Sequence, residues 1–276
     1  MAYGGSGQVS WLTGPLKGDS KMSDNIHVTK ASGILSLVID RQTKKNALTE
    51  AMYKALADQL EAAQTDNDVR VVLLRGAGEM FTAGNDVAEF AAVAAGGAPP
   101  QHVHRFLSIL ARADKPIVAA VQGKAIGVGT TMLLHCDLVV LAEGTLLTTP
   151  FVNLALVPEA ASSLLLPALL GHARAFAMFA LGEPLDAESA LACGLANAVV
   201  PQAALVSTAE SLAQRLSKQP IGALRITKRL MRSSTVIQQR MEEEGRLFGE
   251  RLATAEAGEA FAAFAERRAP DFTKFG

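Results

Sequence analysis

Three short, almost wholly apolar runs set the terms on which this chain can fold: VRVVLLRG (Val69–Gly76), PIVAAVQG (Pro116–Gly123) and DLVVLAEG (Asp137–Gly144). They are rich in aliphatic residues and lack the alternation of a half-wet strand, so each reads as a strand covered on both faces. Such strands need helices on either side of their sheet, and helix-like segments lie between the runs. GILSLVID (Gly33–Asp40) adds an alternating strand that ends in the charged turn RQTKKN. Thr49 is then placed to cap a helix through about Asp66, with Met52, Leu56, Leu60 and Ala63 at near-helical spacing. His102 to Ala113 and GVGTTMLLHC (Gly127–Cys136) read as further helices. The recurrence of strand, crossover helix and strand predicts an α/β fold of stacked ββα or βα units.

After Pro158 the pattern turns helical. Ser162–Leu170, Ala173–Leu181 and Ala187–Ala192 are short helical segments, and Leu195–Val200 reads as a last strand. Ala203–Lys218, Ile221–Ser234, Val236–Ala253 and Ala255–Arg268 are amphipathic and longer. The expected organisation is a βα core over residues 22–200 and a helical region over 201–276 that folds back or packs on a neighbouring subunit. Residues 1–21 are rich in Gly and Ser, lack the basic start and apolar centre of a secretory signal, and read as a flexible leader or added extension.

Composition removes several classes of function. A net charge of −1 without long like-charge runs leaves no electrostatic footprint for nucleic acid or an anionic membrane. Aromatic residues at 5% are too few for a base-stacking surface. No apolar run approaches the roughly 20 residues of a membrane span. Cys136 and Cys193 are far apart and lack ligand spacing, so both read as buried thiols in a reducing compartment, with the cytoplasm as the expected location. GVG at the start of a helix has some likeness to a dinucleotide fingerprint, but the third glycine and the distal acidic residue are missing. No GK[ST] follows the glycines either, so no nucleotide cofactor is expected.

Two glycine-bearing loops each follow a buried strand: FTAGNDVAEF (Phe81–Phe90) and VQGKAIGVG (Val121–Gly129). Glycine there can simply permit tight turns. Both loops also present backbone N–H groups at strand-to-helix corners, where the first helical turn has unpaired donors and a partial positive charge. Two N–H groups converging on one point can stabilise negative charge developing on a carbonyl oxygen.

The segments IDRQTKKNALT, FTAGNDVAEF, VQGKAIGVG, HCDLVV and FAERRAPDF, in this order and spacing, resemble the crotonase (enoyl-CoA hydratase/isomerase) superfamily over about residues 26–274. The resemblance implies a spiral of stacked ββα turns, acyl-CoA substrates with no separate cofactor, and homotrimers or homohexamers built with the C-terminal helices. It places the two oxyanion N–H groups on Asn85 and Val128, with Ala83, Gly84, Asp86 and Gly127 along the bound thioester. Hydratases of the family hold a water between two glutamates. Those positions fall on Thr131 and Phe151, neither of which can act as a base near neutral pH.

That leaves Glu159, within PFVNLALVPEAASS. Taken alone, a Pro-Glu pair at a helix start is a common surface feature, because glutamate complements the helix dipole. In the resemblance, Glu159 and the AGND run (Ala83–Asp86) match peroxisomal-type Δ3,Δ2-enoyl-CoA isomerases, in which one glutamate acts as acid and base. The apolar neighbours Leu156, Val157, Ala160 and Ala161 would raise its pKa and exclude water. Hydration or another enolate-forming step is the alternative within the fold, and a non-catalytic protein that binds CoA esters is the alternative outside enzymology.

Other polar residues read as structural. His135 reads as a satisfied core or interface histidine, and Ser162 and Ser163 lack a nucleophile elbow. Glu242, Glu243 and Glu244 read as a solvated helix face. Asp40, Asp86 and Asp137 read as caps at strand or loop ends, Asp86 with a second possible role in orienting the first oxyanion loop. The small-residue loop Ala91–Pro100 reads as a lid.

Overall fold

The computed structural model of the chain describes residues 25–94, 97 and 100–275. The leader expected over residues 1–21 lies outside the described residues. So do residues 95, 96, 98 and 99 of the loop expected as a lid.

The described strands form two sheets. β1 (Ile26–Ala31), β2 (Ile34–Ile39), β3 (Val71–Gly76), β4 (Ile117–Val121), β6 (Leu138–Ala142) and β9 (Ala198–Val200) make a six-stranded sheet in that order. β1 and β2 are antiparallel and every later pairing in this sheet is parallel. The three apolar runs are its central strands. β5 (Lys124–Ile126), β7 (Leu146–Thr148) and β8 (Leu185–Asp186) form a separate three-stranded sheet that sequence periodicity did not reveal. Strands of two or three residues are too short to carry a period. β1 was also missed. Its two-residue turn to β2, Ser32–Gly33, has φ of 53° and 80°, the paired positive values that match the twist of a tight hairpin.

Helices cover both faces of the large sheet. α1 (Glu50–Thr65) and α3 (His102–Arg112) pack together, and their apolar residues join Leu37, Leu74, Ala119 and Leu141 in the main core. Thr49 caps α1 as expected, its hydroxyl accepting the Met52 N–H. Thr49→Ala is expected to cost about 1 kcal/mol of stability, read as a lower melting temperature in a two-state thermal scan. On the opposite face Val71, Leu73, Val118 and Val140 meet Leu205, Ala209 and Ala213 of α8 (Leu205–Ser217). α8 follows the boundary expected at residue 200, yet it closes the second face of the sheet.

α2 (Val87–Ala94) follows the first glycine loop, and α4 (Val128–Thr131) follows the second, continuing as a 3₁₀ turn over Met132–His135. α5 (Ser162–Leu170), α6 (His172–Ala180) and α7 (Ala187–Ala192) are short, as their spacing predicts. α9 (Ile221–Met231), α10 (Ser234–Leu252) and α11 (Ala255–Glu266) complete the described helices. Within this chain α10 folds back against α3, and α11 against α2 and the turn at Val152–Leu154. Cys136 and Cys193 are free and half-buried rather than fully buried. Burial pushes the Cys136 thiol up to about 12, which keeps it protonated and unreactive. Among the described residues no helix is long and apolar enough to cross a membrane.

Candidate active site

The two glycine loops meet. Asn46, buried behind the first loop, donates from its side-chain amide to the carbonyls of Ala77 and Met80, both at 2.8 Å. The Thr82 hydroxyl donates to the Asn46 carbonyl at 2.6 Å. Leu48 then brackets Asn85: its N–H donates to Gly84 O at 2.8 Å and its carbonyl accepts the Asp86 N–H at 2.9 Å. In such a parallel bridge the bracketed residue turns its own N–H the other way. That side is where the second loop lies, since Ile126 N donates to Thr82 O at 3.1 Å. Only glycine fits position 84, where φ is +87° and a Cβ would stand 2.6 Å from the Ile126 carbonyl oxygen.

In the second loop, Gly127 takes φ +56° and ψ −118° and starts α4. Its carbonyl accepts the N–H groups of Thr130 and Thr131, both at 3.0 Å, which leaves Val128 as the first helical residue, whose N–H has no acceptor within the helix. Among the described residues neither the Asn85 nor the Val128 N–H has a backbone partner. Both residues, with Ala83, Gly84 and Gly127, line one cavity of about 70 Å³. Phe151, Phe248 of α10 and Phe261 of α11 close it with aromatic rings.

Asp86 is not among the residues that line this cavity. Its carboxylate pairs with Arg41 at 2.6 Å and accepts the Ala88 N–H at 2.9 Å, within the first turn of α2. Burial acts to raise its pKa, but the Arg41 guanidinium and the N–H bonds outweigh it and hold the carboxyl below its ordinary value. It is a brace for the first loop. A second cleft, of about 600 Å³, lies alongside and shares Ala83 and Ile126 with the small cavity. Lys45 and Lys124 stand in its wall, with Glu79 as its one carboxylate.

Glu159 lies in the wall of a third cavity, of about 530 Å³, between α3 and α10. Phe248 belongs to this cavity and to the small one. The Glu159 side chain is 9% exposed, and Oε1 is buried without a hydrogen-bond partner. Burial pushes its carboxyl up from 4.5 to about 8, with the charge of Glu244 as a second cause. A surface glutamate at a turn would show none of this.

The backbone after Glu159 is strained and clamped. Ala160 and Ala161 both take left-handed φ, +61° and +54°, which non-glycine residues rarely adopt. Ala160 O lies 2.8 Å from His135 Nε2. Arg232 donates to His135 Nδ1 at 2.6 Å, so the ring proton sits on Nε2 and is donated to Ala160. Burial, aided by Arg232, lowers the His135 pKa to about 3 and keeps the ring neutral. Both of its nitrogens are occupied, so it cannot activate Ser162 or Ser163. The other half of the clamp is Glu244, whose carboxylate accepts the Ala161 N–H at 2.6 Å and the Ser163 N–H at 2.9 Å. Glu242 and Glu243 are exposed, as expected of a solvated face, but Glu244 is 4% exposed and departs from that reading.

Thr131 is fully buried and its hydroxyl turns to the Val128 carbonyl, while the Phe151 ring packs on Phe179. Neither position offers a carboxylate. Tyr53, buried on α1, donates its phenol to Asn85 Oδ1. The charge of Glu159 acts on the same phenol, whose pKa burial first and then the nearby carboxylates push well above its ordinary value. Tyr53 thus ties the first glycine loop to the neighbourhood of Glu159.

The sequence profile of the enoyl-CoA hydratase/isomerase family matches residues 29–274. The chain belongs to this family. It is 33% identical over 255 residues to 1,2-epoxyphenylacetyl-CoA isomerase of Escherichia coli (strain K12), covering 90% of this chain and 97% of that protein. It is 32% identical over 251 residues to 2,3-dehydroadipyl-CoA hydratase of the same organism, covering 89% and 97%. A crystal structure of an enoyl-CoA hydratase/isomerase from Pseudoalteromonas atlantica T6c superposes with a TM-score of 0.85 at 42% identity, covering 90% of this chain and all of that one. The α/β fold with a helical C-terminal region is therefore that of the family. An isomerase and a hydratase are equally similar to it, so overall likeness does not select the reaction.

Proposed function

We propose that the chain is an acyl-CoA double-bond isomerase that converts 3-enoyl-CoA into 2-trans-enoyl-CoA with Glu159 as its single acid/base. The observation that carries this reading is the Glu159 carboxylate: buried, with no partner at Oε1, raised to about 8, and set in a cavity that shares Phe248 with the cavity of the two N–H groups. In this reading the CoA phosphates lie by Lys45 and Lys124, and the thioester oxygen accepts from Asn85 and Val128 N–H. Glu159 removes a proton from C2, and the electron pair spreads over C2 to C4 and the thioester oxygen as a dienolate. The two N–H groups stabilise that oxygen charge. The carboxylic acid so formed returns its proton to C4, which leaves the double bond between C2 and C3 and restores the base.

One group with a pKa near neutrality suffices for both proton transfers. Hydration would need a second carboxylate to hold and activate water, and positions 131 and 151 supply a threonine and a phenylalanine. The AGND run and Glu159 support the finer likeness to the peroxisomal-type isomerases. Leu230 and Met231, 83% and 82% exposed near the end of α9, fit burial in a homotrimer or homohexamer. The free cysteines fit a reducing, cytoplasmic setting.

Turnover of 3-hexenoyl-CoA in heavy-oxygen water tests the reaction type. The expected product is 2-trans-hexenoyl-CoA, with no label beyond that found without protein. Labelled 3-hydroxyacyl-CoA formed from 2-trans-hexenoyl-CoA, with 3-hexenoyl-CoA left unchanged, would replace this reading by hydration. Binding without turnover of any enoyl isomer would make the chain a CoA-ester-binding protein.

A further inference from the structure

Two glycines on α10 have no backbone reason to be glycine. Gly245 and Gly249 sit inside a long helix, four residues apart, and both line the 530 Å³ cavity. Glycine inside a helix costs about 0.5–1 kcal/mol relative to alanine. Neither residue takes a left-handed φ. A Cβ at Gly249 would meet nothing within 4 Å, and one at Gly245 would make ordinary contact with His104 Cε1 at 3.6 Å. What glycine adds at both places is empty volume on the cavity wall.

The rest of that wall shows what the volume suits. Val103 and Leu107 of α3 face Met241, Phe248 and Leu252 of α10, an apolar strip in a wall that also holds His104 and Gln238. The only cationic side chain of α10 there, Arg246, is paired with Glu250 at 2.6 Å, while Glu159 and Glu242 present carboxyl groups. An anionic tail would meet that acidity with only the His104 imidazole and the Gln238 amide to receive it, whereas an alkyl tail packs on the apolar residues. A cavity of about 530 Å³ falls within the roughly 300–1,000 Å³ typical of pockets that enclose a whole drug-sized ligand, so a butenoyl group would leave most of it empty.

We infer that Gly245 and Gly249 set the acyl-chain capacity of this site, holding open a channel between α3 and α10 for an uncharged, medium- to long-chain alkyl tail. This rests on the proposed acyl-CoA binding but not on the reaction. It is tested with saturated thioesters, which undergo no double-bond shift: calorimetric Kd values for hexanoyl-CoA and dodecanoyl-CoA on the full chain. The wild-type protein is expected to bind dodecanoyl-CoA more tightly. In Gly249→Leu that preference should fall about tenfold or more, and in Gly245→Ala by a smaller factor, because small changes in an apolar pocket shift discrimination by about 10–200-fold. Leucine is the better helix former, so the variant should melt no lower than wild type. An unchanged preference in both variants would overturn the inference. Failure of the wild-type protein to bind either thioester would remove the acyl-CoA reading itself. Binding without isomerisation would count only against the proposed reaction.

Discussion

Glu159→Gln is expected to lower kcat for 3-enoyl-CoA isomerisation by about 10²–10⁴-fold, the usual contribution of one positioned general acid–base group. KM should change little, because the amide keeps the size and polarity of the carboxylic acid while losing the ability to exchange a proton. Near-wild-type turnover would end the assignment. The wild-type pH profile carries the same information: the base works only when ionised, so kcat/KM should rise with pH through an apparent value near the 8 set by burial.

Stability should move the opposite way from activity. The folded protein holds the Glu159 proton up to about pH 8, whereas an unfolded chain releases it near 4.5. Stability therefore declines as pH rises through that window, and the loss is complete above it. Each pH unit in the window is worth about 1.4 kcal/mol, so the whole cost is on the order of a few kcal/mol. Glu159→Gln should escape it and melt at a higher temperature than wild type at pH 9, with little difference at pH 4. A variant that loses activity and gains alkaline stability would mark Glu159 as a group held in an unfavourable setting for its function.

The large sheet was legible because β3, β4 and β6 are buried on both faces and write that burial as continuous apolar runs. The two glycine loops were legible because Gly84 and Gly127 mark backbone that must turn left-handed or approach another chain segment closely. Asp86 was legible as a cap that orients the first glycine loop, but its partner Arg41, distant in sequence, was not. Tyr53 was hidden because it lies on the buried stripe of α1 beside Met52 and Leu56, where an aromatic reads as core. Glu244 left a clue that was passed over. Ile237, Met241, Glu244, Phe248 and Leu252 recur at three- and four-residue spacing, so one member of the acidic run falls on the apolar stripe of α10.

That placement makes Glu244 the second group on which the site depends. Its carboxylate accepts from two backbone N–H groups just after Glu159, and its charge adds to burial in raising the pKa of that residue. Burial pushes the Glu244 carboxyl up, while the Ser163 and Ala161 N–H bonds and Arg240 pull against that rise. Glu159 has no such bonds at Oε1, so it is the member of the pair that takes the proton. Glu244→Ala strands the Ala161 and Ser163 N–H groups in the interior and should cost about 1–3 kcal/mol, visible in denaturant unfolding. It also releases the left-handed turn that aims Glu159, so kcat should fall at every pH. Glu244→Gln keeps an acceptor and removes the charge, so the midpoint of the kcat/KM profile should move below about 8. A role confined to holding the turn would leave the midpoint in Glu244→Gln where wild type has it. A downward shift, with a larger loss of stability in Glu244→Ala than in Glu244→Gln, would show that one carboxylate from the C-terminal helices both fixes the geometry of the base and sets the pH at which it works.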